Sequence, residues 1–407
     1  MSAITIFDIP RYAPLLGATV ALGVLSAPVD RPAQACGVPD EPSITIPTAS
    51  EIPPVQRSRT IDLAICLDTS GSMSGLINSA RLKLWDIVND LALACPKPQL
   101  RVALLTFGND GHDQENGWVR VDSGLTEDLD LISQRLFALS TNGGTEYVGR
   151  ALQYAGQLDW NPSDDALKLI VVAGNESADQ DRQAPFQAMC RSLITRGIMV
   201  DSIYCGSPGD AVAAGWMEVA RLADGQFASI DQDGTQLVQT PFDDQLAELS
   251  SALNETYVPL GARGAAGKSN QAAQDANAQG LSTIAAATRA VTKARGLYNC
   301  SWDLVDACRS GQVKLDQVKT DELPVNMQSM TIAQRAEYVN EMGLRRLGIQ
   351  ERVKQLGIER DAWVAAELKR LAIDESRSLD GAIRNAMRDR IRSRGYTFTD
   401  EMPGDGC

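Results

Sequence analysis

Asp68, Ser70 and Ser72 stand at alternate positions in "IDLAICLDTSGSMSG", residues 61 to 75, directly after an apolar run. If the chain stays extended through the turn, alternate side chains point the same way, so one carboxylate and two hydroxyls converge. All three are hard oxygen donors. They suit a small divalent cation such as Mg²⁺, or Mn²⁺ or Ca²⁺, and leave positions for water or a partner's carboxylate. A structural role fits the same residues: Ser70 or Ser72 caps the next helix, and Asp68 accepts hydrogen bonds from the turn.

Convergence of this kind needs a frame. The runs "IDLAICL", "LRVALLTFG", "LKLIVVAG" and "GIMVDSIYCG" have strand length and are apolar on both faces, and segments of helical period separate them. The first of those segments places Leu84, Ile87, Val88 and Leu91 on one face. "GWVRVDSG" alternates apolar and polar residues, as an edge or hairpin strand does. The fold class is therefore α/β, a doubly wound and mostly parallel sheet covered on both sides, followed by an all-α C-terminal region. In such a sheet ligands bind beyond the carboxyl ends of the strands, and Asp68 stands at one.

Asp-x-Ser-x-Ser between a strand and an amphipathic helix resembles the metal-ion-dependent adhesion site of the von Willebrand factor type A (vWA) domain, over about residues 58 to 258. The resemblance implies that a Thr on a later loop completes the site, and "STNGGTEYVGRAL" supplies Thr145 in the right chain order. It also implies an Asp after the fourth strand, in Thr-Asp-Gly. Here "IVVAGNESADQD" puts Gly174 or Asn175 at that point, with Glu176 beside it. Asn175 offers a neutral carbonyl oxygen and Glu176 a longer-armed carboxylate. Without the family's carboxylate, the site holds a metal less tightly unless a partner completes the shell. Exported bacterial proteins with "AGNE", "TNGGTEYVGRAL" and a later "SWDLVD" are also similar to this chain, and "SWDLVD" stands at residues 301 to 306.

Other chemistry is sparse. "NDGHDQENG" at residues 109 to 117 clusters Asn109, Asp110, His112, Asp113 and Glu115, and reads as a solvated loop before a second cation site. His112 is the only histidine, and nothing places it near a nucleophile elbow. A metal-assisted hydrolase needs a general base and a water-excluding pocket, and neither can be located, so the expectation is not an enzyme. Cys190, on a helix, and Cys205, at the end of the following strand, are a candidate disulfide.

The 407 residues suffice for two folded regions. A net charge of -14 argues against nucleic acid and anionic membranes. Residues 1 to 280 hold 18 basic against 34 acidic side chains, and residues 281 to 407 hold 20 against 18, so a cation or a basic partner suits the first region. "RYAPLLGATVALGVLSAP" followed by "AQAC" reads as a signal peptide over 1–35, with Cys36 as an alternative lipidation point. The expected location is the periplasm, cell envelope or exterior. No later run reaches membrane-spanning length.

A Pro-rich linker follows over 36–57, then the vWA domain at 58–258, an Ala/Gly/Gln stretch at 259–280 that reads as a linker or a solvated helix, and a helical region at 281–407. In that last region Thr331 and Gln334 have capping-box spacing, and Val339, Met342, Ile349, Val353, Leu356 and Trp363 follow a three-four rhythm. Arg346 and Arg360 interrupt this seam and Gly343, Gly348 and Gly357 weaken it, which favours a helical hairpin over one long coiled coil. A last helix is expected from Leu379 to Ser393, with Ile383, Met387 and Ile391 on one face and Gly395 as its stop. Two functions follow from these features. One is cation-dependent binding of an acidic group on a protein partner. The alternative is an envelope assembly protein with a degenerate metal site, interacting or self-associating through its C-terminal helices.

Overall fold

The computed structural model describes residues 60–231, 237–298, 300–373 and 378–399. The expected signal peptide, the Pro-rich linker and Cys36 lie outside these residues.

The chain begins β1 (Thr60–Asp68), α1 (Ser74–Leu91), β2 (Ala94–Cys95), β3 (Gln99–Phe107) and β4 (Val119–Thr126). It continues α2 (Leu129–Phe137), α3 (Val148–Gly156), β5 (Leu167–Gly174), α4 (Phe186–Ile194), β6 (Ile198–Cys205), α5 (Ala213–Leu222) and β7 (Phe227–Ile230). Six strands form one sheet in the order β4-β3-β1-β5-β6-β7, parallel except for β4, which runs antiparallel at the edge. Central β1 is buried at all nine positions, which is why its sequence is apolar without alternation. On one face of the sheet Leu63, Ile65 and Leu67 join Leu84 and Val88 of α1 and Leu129 and Ile132 of α2. On the other, Ala64 and Cys66 join Val148 of α3, Phe186 of α4 and Trp216 of α5.

After the sheet come α6 (Asp243–Asn254), α7 (Gly261–Leu281), α8 (Thr283–Arg295), α9 (Leu304–Arg309), α10 (Val325–Gln328), α11 (Ile332–Leu371), α12 (Leu379–Ser393) and β8 (Thr397–Phe398). Helix α12 has the expected bounds, and its Ile383, Met387 and Ile391 enter the same cluster as Leu63 and Leu67. The end of the helical region thus covers one face of the sheet, and β8 pairs with β2 beside it.

Three expectations are corrected. Residues 259–280 are not a linker: α7 packs on α2 and α8 through polar groups. Gln274 accepts from the Ser133 hydroxyl at 3.0 Å, Gln271 donates to the Tyr298 hydroxyl at 3.1 Å, and Asp275 pairs with Arg289 and with Lys293. A helix whose one large apolar residue, Leu281, is exposed is held because its buried amides and its half-buried carboxylate are satisfied.

Secondly, α11 is one 40-residue helix and not a hairpin, opened by the expected Thr331–Gln334 capping box. Its glycines at 343 and 357 face neighbours at close range: a Cβ at Gly357 would stand 3.2 Å from Val291 Cγ2 of α8. The two arginines that interrupt its seam are buried against carboxylates, Arg346 on Asp303 at 2.7 Å and Arg360 on Asp243 at 2.8 Å. Val339, Met342, Val353 and Leu356 are buried as the rhythm requires, whereas Trp363 is exposed. "SWDLVD" gains a structural role here: Asp303 caps α9, accepts from Val258 N–H and, with Asp306, grips Arg346, which lies over the Tyr257 ring.

Thirdly, Cys190 and Cys205 are both free and buried. Strand alternation sends Cys205 into the α1 face of the sheet, while Cys190 of α4 lies in the opposite core, so the sheet separates them. Cys95 is disulfide-bonded.

Candidate metal centre

Three loops meet at the carboxyl end of the sheet. Asp68 closes β1 level with Phe107, the last residue of β3. Thr69 then turns inward and ties the first loop to β3, its N–H and its hydroxyl both donating to the Phe107 carbonyl at 2.8 and 3.0 Å. The loop before α3 is held to the first by Asn142 N–H donating to the Thr69 carbonyl and Gly71 N–H donating to the Gly143 carbonyl, each at 3.0 Å. Asn109 clamps both, its amide donating to the carbonyls of Thr69 and Ser140. The polar stretch 109–117 is thereby partly a brace. His112 of that stretch bonds the Thr106 hydroxyl at 2.9 Å, away from Asp68.

Within this frame Asp68 is fully buried and Ser70 nearly so, while Ser72 reaches the surface. Asp68 Oδ1 accepts from Ser70 N–H at 2.8 Å, and Asp68 Oδ2 has no hydrogen-bond partner. The Ser70 and Ser72 hydroxyls lie 3.3 Å apart, as side-chain alternation requires. From the end of β5, Asn175 donates its amide to the Ser72 hydroxyl at 3.1 Å, leaving its buried Oδ1 without a partner. Neither serine caps α1, whose cap position is Met73 without a side-chain bond. Thr145 does not cap α3 either, because that position belongs to Tyr147; Thr145 is half-buried on the loop that abuts Gly71. Glu176 is exposed, its backbone carbonyl accepts from the Trp216 indole at 2.8 Å, and its charge acts on Asp68.

Sequence reasoning passes over one residue. Glu146, next to Thr145 in "GGTEYVG", is buried and faces Asp68 and Ser70, with Oε2 unpartnered. Gly108 shows how tightly these groups converge. A Cβ there would stand 2.7 Å from Asp68 Oδ1, 3.0 Å from Glu146 Cγ and 3.5 Å from Ser70 Cβ, so only glycine fits. A carboxylate in an otherwise neutral Gly-rich loop is the signal available. Burial raises the Asp68 carboxyl to about 6 against the pull of the Ser70 hydrogen bonds. Burial and then the Asp68 charge raise Glu146 to about 8.

The donors fit a hard divalent cation. They are oxygens only, two are buried carboxylate oxygens lacking any partner, and among the described residues no Lys or Arg forms an ion pair with either group. Among the described residues no cluster of three or more His, Cys, Asp or Glu side chains is placed to hold a metal; hydroxyls and an amide contribute here.

Residues 62–240 match the family model of the von Willebrand factor type A domain. The match covers the segment that holds the six-stranded sheet, and a helical part follows it. Its fold is similar to a von Willebrand factor type A protein from Catenulispora acidiphila, at 20% identity and TM-score 0.34, covering 42% of this chain and 39% of that one. It is also similar to proximal thread matrix protein 1 from the mussel byssus, at 16% identity and TM-score 0.35, covering 43% of each chain. A third similar structure is the pilus adhesin SpaC from Lactobacillus rhamnosus GG, at 13% identity and TM-score 0.35, covering 43% of this chain and 28% of that one. The chain therefore spans under half the length of each. No curated protein matches it.

Proposed function

We propose that this protein is an exported binding protein whose vWA domain engages an acidic group on a protein partner through a divalent cation, Mg²⁺ or Mn²⁺, at Asp68, Ser70, Ser72 and Thr145. The observation that carries this reading is the buried Asp68 carboxylate with Oδ2 unpartnered, opening through Ser70 to the exposed Ser72. A buried carboxylate without a counter-charge is unfavourable by several kcal/mol, so the site is built for something it binds. The ion's remaining positions face outward, where a partner's carboxylate completes the shell. The role is binding and not catalysis. Calorimetric titration of Mg²⁺ into wild type and Asp68→Ala tests it: heat from wild type alone supports the site, and equal heats from both remove the metal from the account.

A second reading is envelope assembly through the C-terminal helices. It rests on Leu344, Leu347 and Ile358, which are exposed by 62%, 45% and 61% on a single face of α11. Light scattering on the full chain decides it, since a strict monomer at high concentration leaves this face without a self-association role.

A further inference from the structure

We propose that Glu146 is the second carboxylate of the cation site, moved from the end of β5 to the loop before α3, so that the ion is held before any partner arrives. The inference rests on the cation reading above.

The charges of the whole molecule point to it. Ten Asp and Glu side chains are buried among the described residues, and eight of them meet a Lys or Arg, as Asp62 meets Arg101 at 2.6 Å and Asp303 meets Arg346 at 2.7 Å. The two that meet none are Asp68 and Glu146, and they face each other. Each keeps one buried oxygen without a hydrogen-bond partner. Two carboxylates brought together without a counter-charge repel, and a cation between them supplies what every other buried carboxylate here already has.

The end of β5 cannot supply the missing group. Its last residue is Gly174, which carries no side chain and stands in a crowded place: a Cβ would lie 3.0 Å from Trp216 Cη2 and 3.2 Å from Asp68 Oδ2. Asn175 is turned to Ser72. Glu146 approaches Asp68 past Gly108, where a Cβ would collide with Asp68 Oδ1 and crowd Glu146 Cγ. The negative charge has therefore changed loops without leaving the site. With two carboxylates of its own, the centre binds a divalent ion unaided, and an acidic partner adds to a shell already formed.

The test uses the full chain with Glu146→Gln, which keeps the shape and removes the charge. Mn²⁺ affinity is measured by calorimetry, and thermal melting is recorded in EDTA and in excess Mg²⁺. The Gln variant is expected to bind Mn²⁺ at least about tenfold more weakly than wild type. It should melt in EDTA no lower than wild type while losing most of the gain from Mg²⁺. Mn²⁺ binding as tight as wild type overturns the assignment of Glu146 and leaves the cation reading standing, whereas a wild-type chain that takes up no Mn²⁺ overturns both. Should the Gln variant fail to fold, Glu146→Asp is read the same way, with weaker binding expected and equal affinity contradicting the proposal.

Discussion

Buried charge is handled in two opposite ways within this chain. Around α11 two of its three buried arginines meet carboxylates: Arg346 bonds Asp303, Asp306 and the Thr256 carbonyl, and Arg360 bonds Asp243, while Arg335 donates to the carbonyls of Met327 and Gln328. At the carboxyl end of the sheet, Asp68 and Glu146 are as deeply buried, yet have only hydroxyls, an N–H and each other. The first arrangement is complete without any ligand and holds α6, α9 and α11 together. The second is incomplete, and incompleteness in a packed interior marks a place where something binds.

The sharpest break of this contrast is to remove one partner from the complete region. Arg346→Met leaves Asp303 buried without its cation and should lower unfolding stability by about 3–5 kcal/mol in urea titrations, with a large drop in midpoint. Met387→Ala comes next. It opens a cavity between α12 and the sheet and should lose about 2–5 kcal/mol by the same measurement; no loss would mean that α12 does not belong to that core.

Asp68→Asn should behave in the reverse sense. It removes a charge that the chain itself does not satisfy, so stability in chelator is unchanged or higher. Wild type should gain about 2.7 kcal/mol when Mg²⁺ is present at about a hundred times its Kd, and the variant should not.

Acid–base behaviour separates the two regions further. Asp68 is raised from 3.8 to about 6 and Glu146 from 4.5 to about 8, so the folded chain keeps protons that the unfolded chain has already released. In chelator, their contribution makes stability fall as pH rises from about 4 towards 8. Excess Mg²⁺ should flatten that fall. Asp275 runs the other way: against the upward push of burial, Lys293 and Arg289 hold it below its ordinary value of 3.8. Its contribution is present at neutral pH and disappears as pH drops through the acid range below about 4. Melting curves from about pH 3 to 8, with EDTA and with Mg²⁺, check both directions. The smallest effect is expected from Asn175→Ala, which removes one hydrogen bond to Ser72 and about 0.5–1.5 kcal/mol.

The elements that can be read from sequence are those whose signals are local. Strand β1 declares itself by the apolar run "IDLAICL", α12 by its period and its stop at Gly395, and the start of α11 by its Thr331–Gln334 capping box. Asp68, Ser70 and Ser72 are legible for the same reason, because alternation along one strand end brings them together. What stays hidden depends on residues far apart in the chain. Arg346 looks like a flaw in a helical seam until Asp303 arrives from 43 positions away, and Arg360 until Asp243 does from 117. The polar α7 looks like a linker until Ser133 and Tyr298 close on it. Glu146 belongs with these, since its meaning comes from Asp68 on another loop and from the glycine at 108 that lets them approach.

Equilibrium dialysis of the full chain against Mn²⁺, with no partner present, tests the central claim most directly. The account predicts one tightly held ion per wild-type chain and none in Asp68→Asn. A wild-type chain that retains no ion, or an Asn variant that retains as much, would contradict it.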